Sequence, residues 1–314
     1  MALLETGAAI LPPSDDRVFK LLLTHPDAKP VLMDIISAVL NCKVLDAQVR
    51  NNEVPPTDMD EKMERFDVNT VIDGGKQVDL EMQASSIEEK VLDEHISLKR
   101  KTIYYLCDLH SSQSSKGKAY NKLVQTYQVT FCSYTVFPQR PAFLNKFSMR
   151  AEDGFLFSDD IQAIFIELSK IDKILEKSVN ELSPIEMWSI FLRYANIPEF
   201  RNNVNEVIKA REVMSVATEL LTSISQDEKE RAIFRSRRMF QSDLESNILT
   251  AEERGEERGE ARGIAIGETR GIAIGEAKYK ASINKIAQDM KKNNISIALI
   301  ASITGLSAEA IEKL

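Results

Sequence analysis

The feature that most constrains the fold is a pair of strand-like segments joined by a glycine turn. Residues 66–72 (Phe-Asp-Val-Asn-Thr-Val-Ile) are rich in β-branched and aromatic side chains, and Asp-Gly-Gly follows them at 73–75. Asp and Gly tolerate the positive φ that a tight hairpin turn requires. Residues 76–83 then alternate strictly between polar and apolar side chains. The pattern predicts a β-hairpin with one face towards a hydrophobic core.

The polar face of this hairpin carries the residues best suited to chemistry. Side chains at i, i+2 and i+4 of a strand share a face, so Asp79, Glu81 and Gln83 project together. If Asp67 on the preceding strand points the same way, two carboxylates meet and repel each other. A divalent cation relieves such repulsion, and carboxylate oxygens with water suit Mg²⁺ or Mn²⁺. The alternative is an antiparallel strand with an ordinary solvated face and no function.

The order of the remaining elements predicts an α/β core. A helix starts at Ser14 or Asp15, both good N-cap residues. A weak strand at 43–54 precedes the hairpin, and a helix with apolar periodicity follows it over 87–110. A strand dense in Val, Thr, Tyr and Phe covers 124–137, and 143–166 adds further strands. The order of helix, three strands, helix and strand favours a sheet with helices over one face.

Composition excludes several other classes of protein. Hydrophobic residues make up 43% and charged residues 28% of the 314 residues, as in ordinary globular proteins. No apolar run approaches the roughly 18 residues that a membrane span needs, so no membrane partner is expected. The three cysteines and three histidines lack the spacing of a zinc site, which favours reduced thiols in the cytoplasm. A net charge of −8 excludes non-specific polycationic binding to DNA but leaves a local basic surface open.

Several ordered fragments give the chain a family resemblance. The central one places an Asp on one strand and Glu-x-Gln on the next, here Asp67, Glu81 and Gln83. The other fragments, in chain order, are Asp16-x-x-Phe19-Lys20, Tyr104-Tyr105 with Gln113 and Lys116-Gly117-x-x-Tyr120, Glu167-Leu168-x-Lys170, and Thr304-Gly305-Leu306-Ser307. The set resembles the Rpn family of recombination-promoting nucleases, also called putative transposases, of the PD-(D/E)XK nuclease superfamily. The likeness runs over nearly the whole chain.

The resemblance implies a restriction-endonuclease-like αβββαβ core, with a mixed sheet flanked by helices and a mostly helical C-terminal region. It implies a Mg²⁺-dependent DNA endonuclease, with Mn²⁺ as an alternative, acting in DNA recombination or mobile-element transfer. Asp67 and Glu81 would ligate the metal ion. Asp16 on the first helix is a further candidate ligand, and its alternative role is at the helix cap. The superfamily's usual third catalytic residue is a lysine, and Gln83 stands in its place; since an amide cannot take a proton, Gln83 is expected to orient the attacking water.

Other polar residues are candidates for the surroundings of the metal ion or for contacts to DNA. Asp79 shares the face of Glu81, while Lys101, Tyr105 and Gln113 lie on or after the helix that follows the hairpin. Their alternative roles are packing and ordinary solvent exposure. Three groups of basic residues either contact phosphates or are simply solvated. They are Lys99, Arg100 and Lys101; Lys116, Lys118 and Lys122; and Arg231, Arg235, Arg237 and Arg238.

The sequence divides into four regions. Residues 1–170 form the nuclease-like core with added strands, 171–250 a helical region, and 279–314 a small helical tail. Between the last two, at 251–278, glycine recurs every four residues with columns of Glu and Arg. Glycine weakens a helix, so this segment is either a flexible tether or a helical self-association element.

The tail also bears on assembly and on the alternative function. A double-strand break needs two active sites and one core supplies one, so a homodimer through the C-terminal region is expected. The alternative function is a degenerate nuclease fold that binds nucleic acid or acts as a regulatory, self-associating protein. The complete set of Asp67, Glu81 and Gln83 favours the enzyme.

Overall fold

The computed structural model describes residues 3–5, 7–50, 53–54, 64–65, 67–84, 92–114 and 119–314. Predictions that concern Phe66, Lys116, Gly117 and Lys118, and the start of the helix expected from residue 87, lie outside the described residues. The chain divides into two compact units, Met1–Arg237 and Arg238–Leu314.

A mixed sheet and the helices around it build the first unit. Its helices are α1 (Asp16–Thr24), α2 (Lys29–Leu40), α3 (Leu92–Ser111), α4 (Pro184–Tyr194), α5 (Arg201–Ala210) and α6 (Glu212–Gln226). Its strands are β1 (Ala47–Val49), β2 (Glu53–Val54), β3 (Glu64–Arg65), β4 (Val68–Ile72), β5 (Gln77–Gln83), β6 (Thr126–Cys132), β7 (Leu144–Arg150) and β8 (Leu156–Glu167). The long helix α7 (Glu228–Lys292) begins in this unit.

Six strands form one sheet in the order β1-β4-β5-β6-β8-β7, and β2 pairs with β3 separately. Strands β5, β6 and β8 run parallel, whereas β1–β4, β4–β5 and β7–β8 are antiparallel pairs. The predicted hairpin is β4–β5, and its turn has a φ of +71° at Gly74 and +81° at Gly75, which glycine adopts without strain. Helix α1, the sheet strands β1, β4 and β5, helix α3 and strand β6 follow in chain order. This order confirms the predicted αβββαβ core.

Helix α1 belongs to the layer that packs on the apolar face of the hairpin. Asp15 caps it by accepting hydrogen bonds from the backbone N–H groups of Arg17 (3.0 Å) and Val18 (3.1 Å). Side chains of α1, α2, α4, α5 and α6 share one core with the apolar side chains of β5. The latter are Val78, Leu80 and Met82. Because strand side chains alternate, this core turns Asp79, Glu81 and Gln83 to the opposite face of the sheet.

The prediction that helices cover one face of the sheet is wrong, because α3 covers the second face as well. Leu98 of α3 packs against Cys132 at the end of β6 and Phe165 of β8. Parallel neighbours such as β5 and β6 need a crossover connection, and α3 supplies it over the face that carries the hairpin's polar residues. These residues are therefore buried beneath a helix and do not form a solvated face. Glu81 is 4% exposed and Asp79 is fully buried.

The second unit has a small core of its own at its C-terminal end. It contains the rest of α7 together with α8 (Ile297–Thr304) and α9 (Ala308–Lys313). Ala287 of α7, Ile300 of α8 and Ile311 of α9 are buried against one another. One buried side chain from each helix makes a small helical cluster, which suits the expected helical tail.

The glycine repeat at 251–278 lies inside α7 and is helical. Its glycines have open space around them, so they do not mark a close approach within the chain. Isoleucines of the same segment are exposed, including Ile264 and Ile272. Within the described ranges, no helix is long and apolar enough to cross a membrane.

Candidate active site

The register of the hairpin brings the two predicted carboxylates to one face. Val68 of β4 lies opposite Leu80 of β5, and Asn69 lies opposite Asp79. Extending this register by one residue, just before β4 begins, sets Asp67 across from Glu81. Asp67 Oδ2 also accepts a hydrogen bond from the backbone N–H of Met82 at 3.3 Å, which ties the carboxylate to β5. The two carboxylates are therefore held side by side where β4 begins.

Glu81 is the most constrained member of this pair. Its Oε1 accepts hydrogen bonds from Gln83 Nε2 at 2.7 Å and from Lys101 Nζ of α3. Its Oε2 is buried and has no hydrogen-bond partner among the residues that the structure describes. Burial acts to lower the pKa of Lys101, but the Glu81 carboxylate, together with Tyr105 and Asp67, raises the pKa of this ammonium on balance. One oxygen of Glu81 is thus hydrogen-bonded within the protein, whereas the other is a buried acceptor without a hydrogen bond to any described residue.

Asp67 shows the electrostatic repulsion within the cluster. Burial raises the pKa of Asp67 to about 6, and the neighbouring Glu81 carboxylate adds to the rise. The Met82 N–H and the Lys101 ammonium act in the opposite direction, while Asp16 raises the pKa further. Asp16 is therefore close enough to repel Asp67. Asp16 and Glu81 thus both act electrostatically on Asp67, and we call these three residues the acidic cluster, although among the described residues no three acids are grouped closely enough to hold one ion.

Asp16 lies at the first turn of α1 but does not cap it, since Asp15 does so. Its two carboxylate oxygens accept hydrogen bonds from Nη2 of Arg237, at 2.8 and 2.7 Å. Arg237 stands on α7, in the part of that helix that belongs to the first unit. Asp16 thus differs from Asp67 and Glu81 in that its carboxylate is paired with the guanidinium of Arg237.

Asp79 lies on the same face, deeper beneath α3. It accepts a hydrogen bond from Gln128 Nε2 of β6 at 2.6 Å. Burial raises the pKa of Asp79 to about 8, and the Glu81 carboxylate adds to the rise. Gln128 was not predicted from the sequence. A signal was present, because Thr126, Gln128 and Thr130 alternate with apolar residues along β6 as the polar residues do along β5.

Asp79→Asn should change the pH dependence of stability in EDTA. The folded-state pKa values of Asp79 and Asp67 lie above the usual value for an unfolded chain, so the folded protein retains protons that the unfolded chain loses. Wild-type stability should therefore fall as the pH rises from about 4 to about 8. The variant should lose the contribution of Asp79, which is the fall between about pH 6 and 8 and about half of the slope below pH 6, where Asp67 continues to contribute. Urea unfolding at pH 5, 7 and 9 measures it, with exposed Asp243→Asn as the control; parallel profiles for wild type and Asp79→Asn would contradict the assignment.

The two remaining predicted residues lie far from each other. The Tyr105 ring centre lies 5.4 Å from Lys101 Nζ, so this tyrosine borders the acidic cluster. Gln113 lies two residues beyond the C-terminal end of α3, and the helix from Lys101 to Ser111 alone spans about 15 Å. It hydrogen-bonds the backbone N–H and C=O of Val124 and the hydroxyl of Thr126. Gln113 therefore fastens the segment before β6 and lies away from the acidic cluster.

The donor set of the acidic cluster suits a hard divalent cation. Carboxylate oxygens, completed by water, are the ligands that Mg²⁺ takes in proteins, and Glu81 Oε2 is a buried oxygen without a protein partner among the described residues. In the described part of the chain, no three His, Cys, Asp or Glu side chains are grouped to hold an ion. Asp67 and Glu81 are thus the two carboxylates that could hold such an ion, whereas both oxygens of Asp16 are hydrogen-bonded to Arg237.

Comparison with known proteins agrees with the motif and the topology. The sequence model of a family described as PD-(D/E)XK nuclease family transposase matches residues 13–251. This range runs from the residues before α1 into α7 and includes every residue of the acidic cluster. Searches of the curated proteins and of the solved structures found no match. With three quarters of its length matched and an αβββαβ core around Asp67 and Glu81, the chain belongs to the PD-(D/E)XK nuclease family transposases.

Proposed function

We propose that the protein is a metal-dependent DNA endonuclease that hydrolyses phosphodiester bonds in recombination or mobile-element DNA transfer in the cytoplasm. The observation that carries the proposal is that Asp67 is hydrogen-bonded to the backbone of β5 at Met82, within the electrostatic reach of the Glu81 carboxylate, which itself binds Gln83 and Lys101. Asp67 and Glu81 would hold Mg²⁺ or Mn²⁺. When bound, such an ion polarises a phosphoryl oxygen and lowers the pKa of a bound water.

The chain's own residues then have distinct roles. Gln83 gives an amide hydrogen to Glu81, so its carbonyl oxygen is left to accept a hydrogen bond from the attacking water. Lys101 supplies the positive charge that Gln83 lacks, and it lies at Glu81, next to where a phosphate must approach. Helix α3 excludes bulk water from one side of the site, which strengthens these electrostatic contacts.

A plasmid-nicking assay with Mg²⁺, Mn²⁺, Ca²⁺ or EDTA tests the proposed function. We expect nicked or linear plasmid with Mg²⁺ and Mn²⁺ and intact plasmid in EDTA. Cleavage that persists in EDTA would contradict a metal-dependent enzyme. DNA binding without cleavage under every metal condition would instead favour the alternative, a degenerate nuclease fold that binds or regulates.

We further propose that α7 mediates homodimerisation. An isolated helix with a glycine at every fourth position is weak in water, and exposed isoleucines such as Ile264, Ile266, Ile272 and Ile274 add an apolar surface. A second copy of the helix would cover that surface, and glycine allows two helix backbones to approach closely. Two cores would then supply one active site for each DNA strand.

Truncation after Leu249 should shift the protein towards monomer and convert any double-strand cleavage into nicking. The shortened chain keeps the whole first unit, including the start of α7. Light scattering measures the oligomeric state, and plasmid linearisation measures double-strand cleavage. A truncated protein that keeps both its oligomeric state and its double-strand cleavage would show that the tail has another role.

A further inference from the structure

Two ion pairs fasten residues 228–237 of α7 to α1. In the first, Arg17 of α1 donates from Nε and Nη2 to the two oxygens of Glu230, at 2.7 and 2.8 Å. In the second, Arg237 of α7 donates to both oxygens of Asp16, at 2.8 and 2.7 Å. The pairs join the same two helices with opposite polarity. Only the second pair includes a member of the acidic cluster, Asp16.

Arg237 interacts with other acids besides Asp16. Its Nη1 lies 3.8 Å from Oδ1 of Asp15. Asp16, and more weakly Asp15 and Asp67, act to raise the pKa of its guanidinium. The side chain is 39% exposed, so it can turn outward without leaving a buried charge. The guanidinium thus contacts the acids at the start of α1 and is at the same time partly in solvent.

We propose that Arg237 is the exchangeable counter-ion of the site: Asp16 exchanges Arg237 for a divalent cation, and Arg237 then binds a DNA phosphate. This inference rests on the proposed function and adds to it the coupling between metal and DNA. Both oxygens of Asp16 accept from Nη2, so a cation that approaches Asp16 meets the positive charge of Arg237 at close range and competes with it for the carboxylate. Once a cation has displaced it, the Arg237 guanidinium no longer has the Asp16 carboxylate as a partner. A phosphate group offers the guanidinium a pair of acceptor oxygens, as a carboxylate does.

Arg237→Met removes the counter-ion and separates its two effects. The full-length variant should bind Mn²⁺ about fivefold or more tightly than wild type in calorimetry, because Asp16 no longer has to release a partner. It should bind a labelled DNA duplex more weakly in Ca²⁺, where cleavage is not needed for the measurement. The salt dependence of that binding should lose about one unit of slope, as expected for one phosphate contact.

The chain offers matched controls in the other ion pair. Arg17→Met removes an arginine from the same pair of helices, so it should leave the Mn²⁺ affinity and the salt slope unchanged. Asp16→Asn frees Arg237 and should strengthen DNA binding in EDTA. Glu230→Gln removes the same charge and frees Arg17, and it should not strengthen DNA binding to a similar extent. Circular dichroism establishes that each variant is folded.

The outcomes separate this inference from the proposed function. If Mn²⁺ binding is lost in Asp67→Asn but is the same in Arg237→Met and wild type, the exchange is wrong and the metal site stands. If Arg17→Met tightens Mn²⁺ binding as much as Arg237→Met does, the arginines act only by docking α7 and the exchange is again wrong. A wild-type protein that binds no Mn²⁺ would overturn both proposals.

Discussion

Asp67→Asn and Glu81→Gln should each lower DNA cleavage by about a thousandfold or more. Each change keeps the size of the side chain but replaces a carboxylate oxygen of the proposed metal site with an amide nitrogen, which does not bind Mg²⁺. The amide introduced by Asp67→Asn retains an oxygen that can accept the Met82 N–H, so the local backbone should be undisturbed. Initial rates of plasmid nicking in Mg²⁺, compared with Mn²⁺ affinity from calorimetry, measure the effect.

The stability of the same variants distinguishes a lost metal site from a damaged fold. In EDTA, Asp67→Asn removes one of two repelling carboxylates, so its free energy of unfolding should equal or exceed that of wild type. Asp159→Asn, on the exposed surface of β8, is the control for both activity and stability. Nicking at the wild-type rate in both site variants would overturn the assignment of the active site.

Glu167→Ala should lower the free energy of unfolding by about 3–5 kcal/mol. Glu167 ends β8 and is fully buried. Its Oε1 accepts the backbone N–H groups of Val136 (2.7 Å) and Phe137 (2.9 Å), and its Oε2 accepts Asn145 Nδ2 (3.0 Å) and Lys170 Nζ (2.7 Å). Alanine would leave two backbone donors without partners and the ammonium of Lys170 without its counter-charge. Urea unfolding at pH 7 measures the loss.

Two companion measurements show which contacts matter. Glu167→Gln keeps an oxygen for the two backbone N–H groups but removes the charge opposite Lys170, so it should cost less than Glu167→Ala. Because Glu167 does not contact the acidic cluster, the folded fraction of each variant should cleave DNA at the wild-type rate below its unfolding temperature. A loss under about 1 kcal/mol in Glu167→Ala would show that the buried network is not needed for stability.

The local sequence pattern was sufficient to predict a large part of the αβββαβ core. The alternation in 76–83 and the two glycines of the turn are properties of neighbouring residues, and a strand with period two and a turn at positive φ follow from them directly. The same alternation is sufficient to place Glu81 and Asp79 on one face of the strand. The order of helices and strands followed from segment composition, and the structure confirms it as the αβββαβ core.

Tertiary structure decided which face is covered and which charges meet. Alternation separates two faces of a sheet but does not say that α3 crosses over the polar one, and this crossover is what buries Asp79 and brings Lys101 to Glu81. Lys101 lies in the middle of α3 and Gln113 just beyond its C-terminal end, so the helical rise of about 1.5 Å per residue takes Gln113 away from the site. Asp16 and Arg237 are 221 residues apart in sequence. On chemical grounds, any arginine of the chain could pair with the Asp16 carboxylate. Only the packing of α7 on α1 selects Arg237.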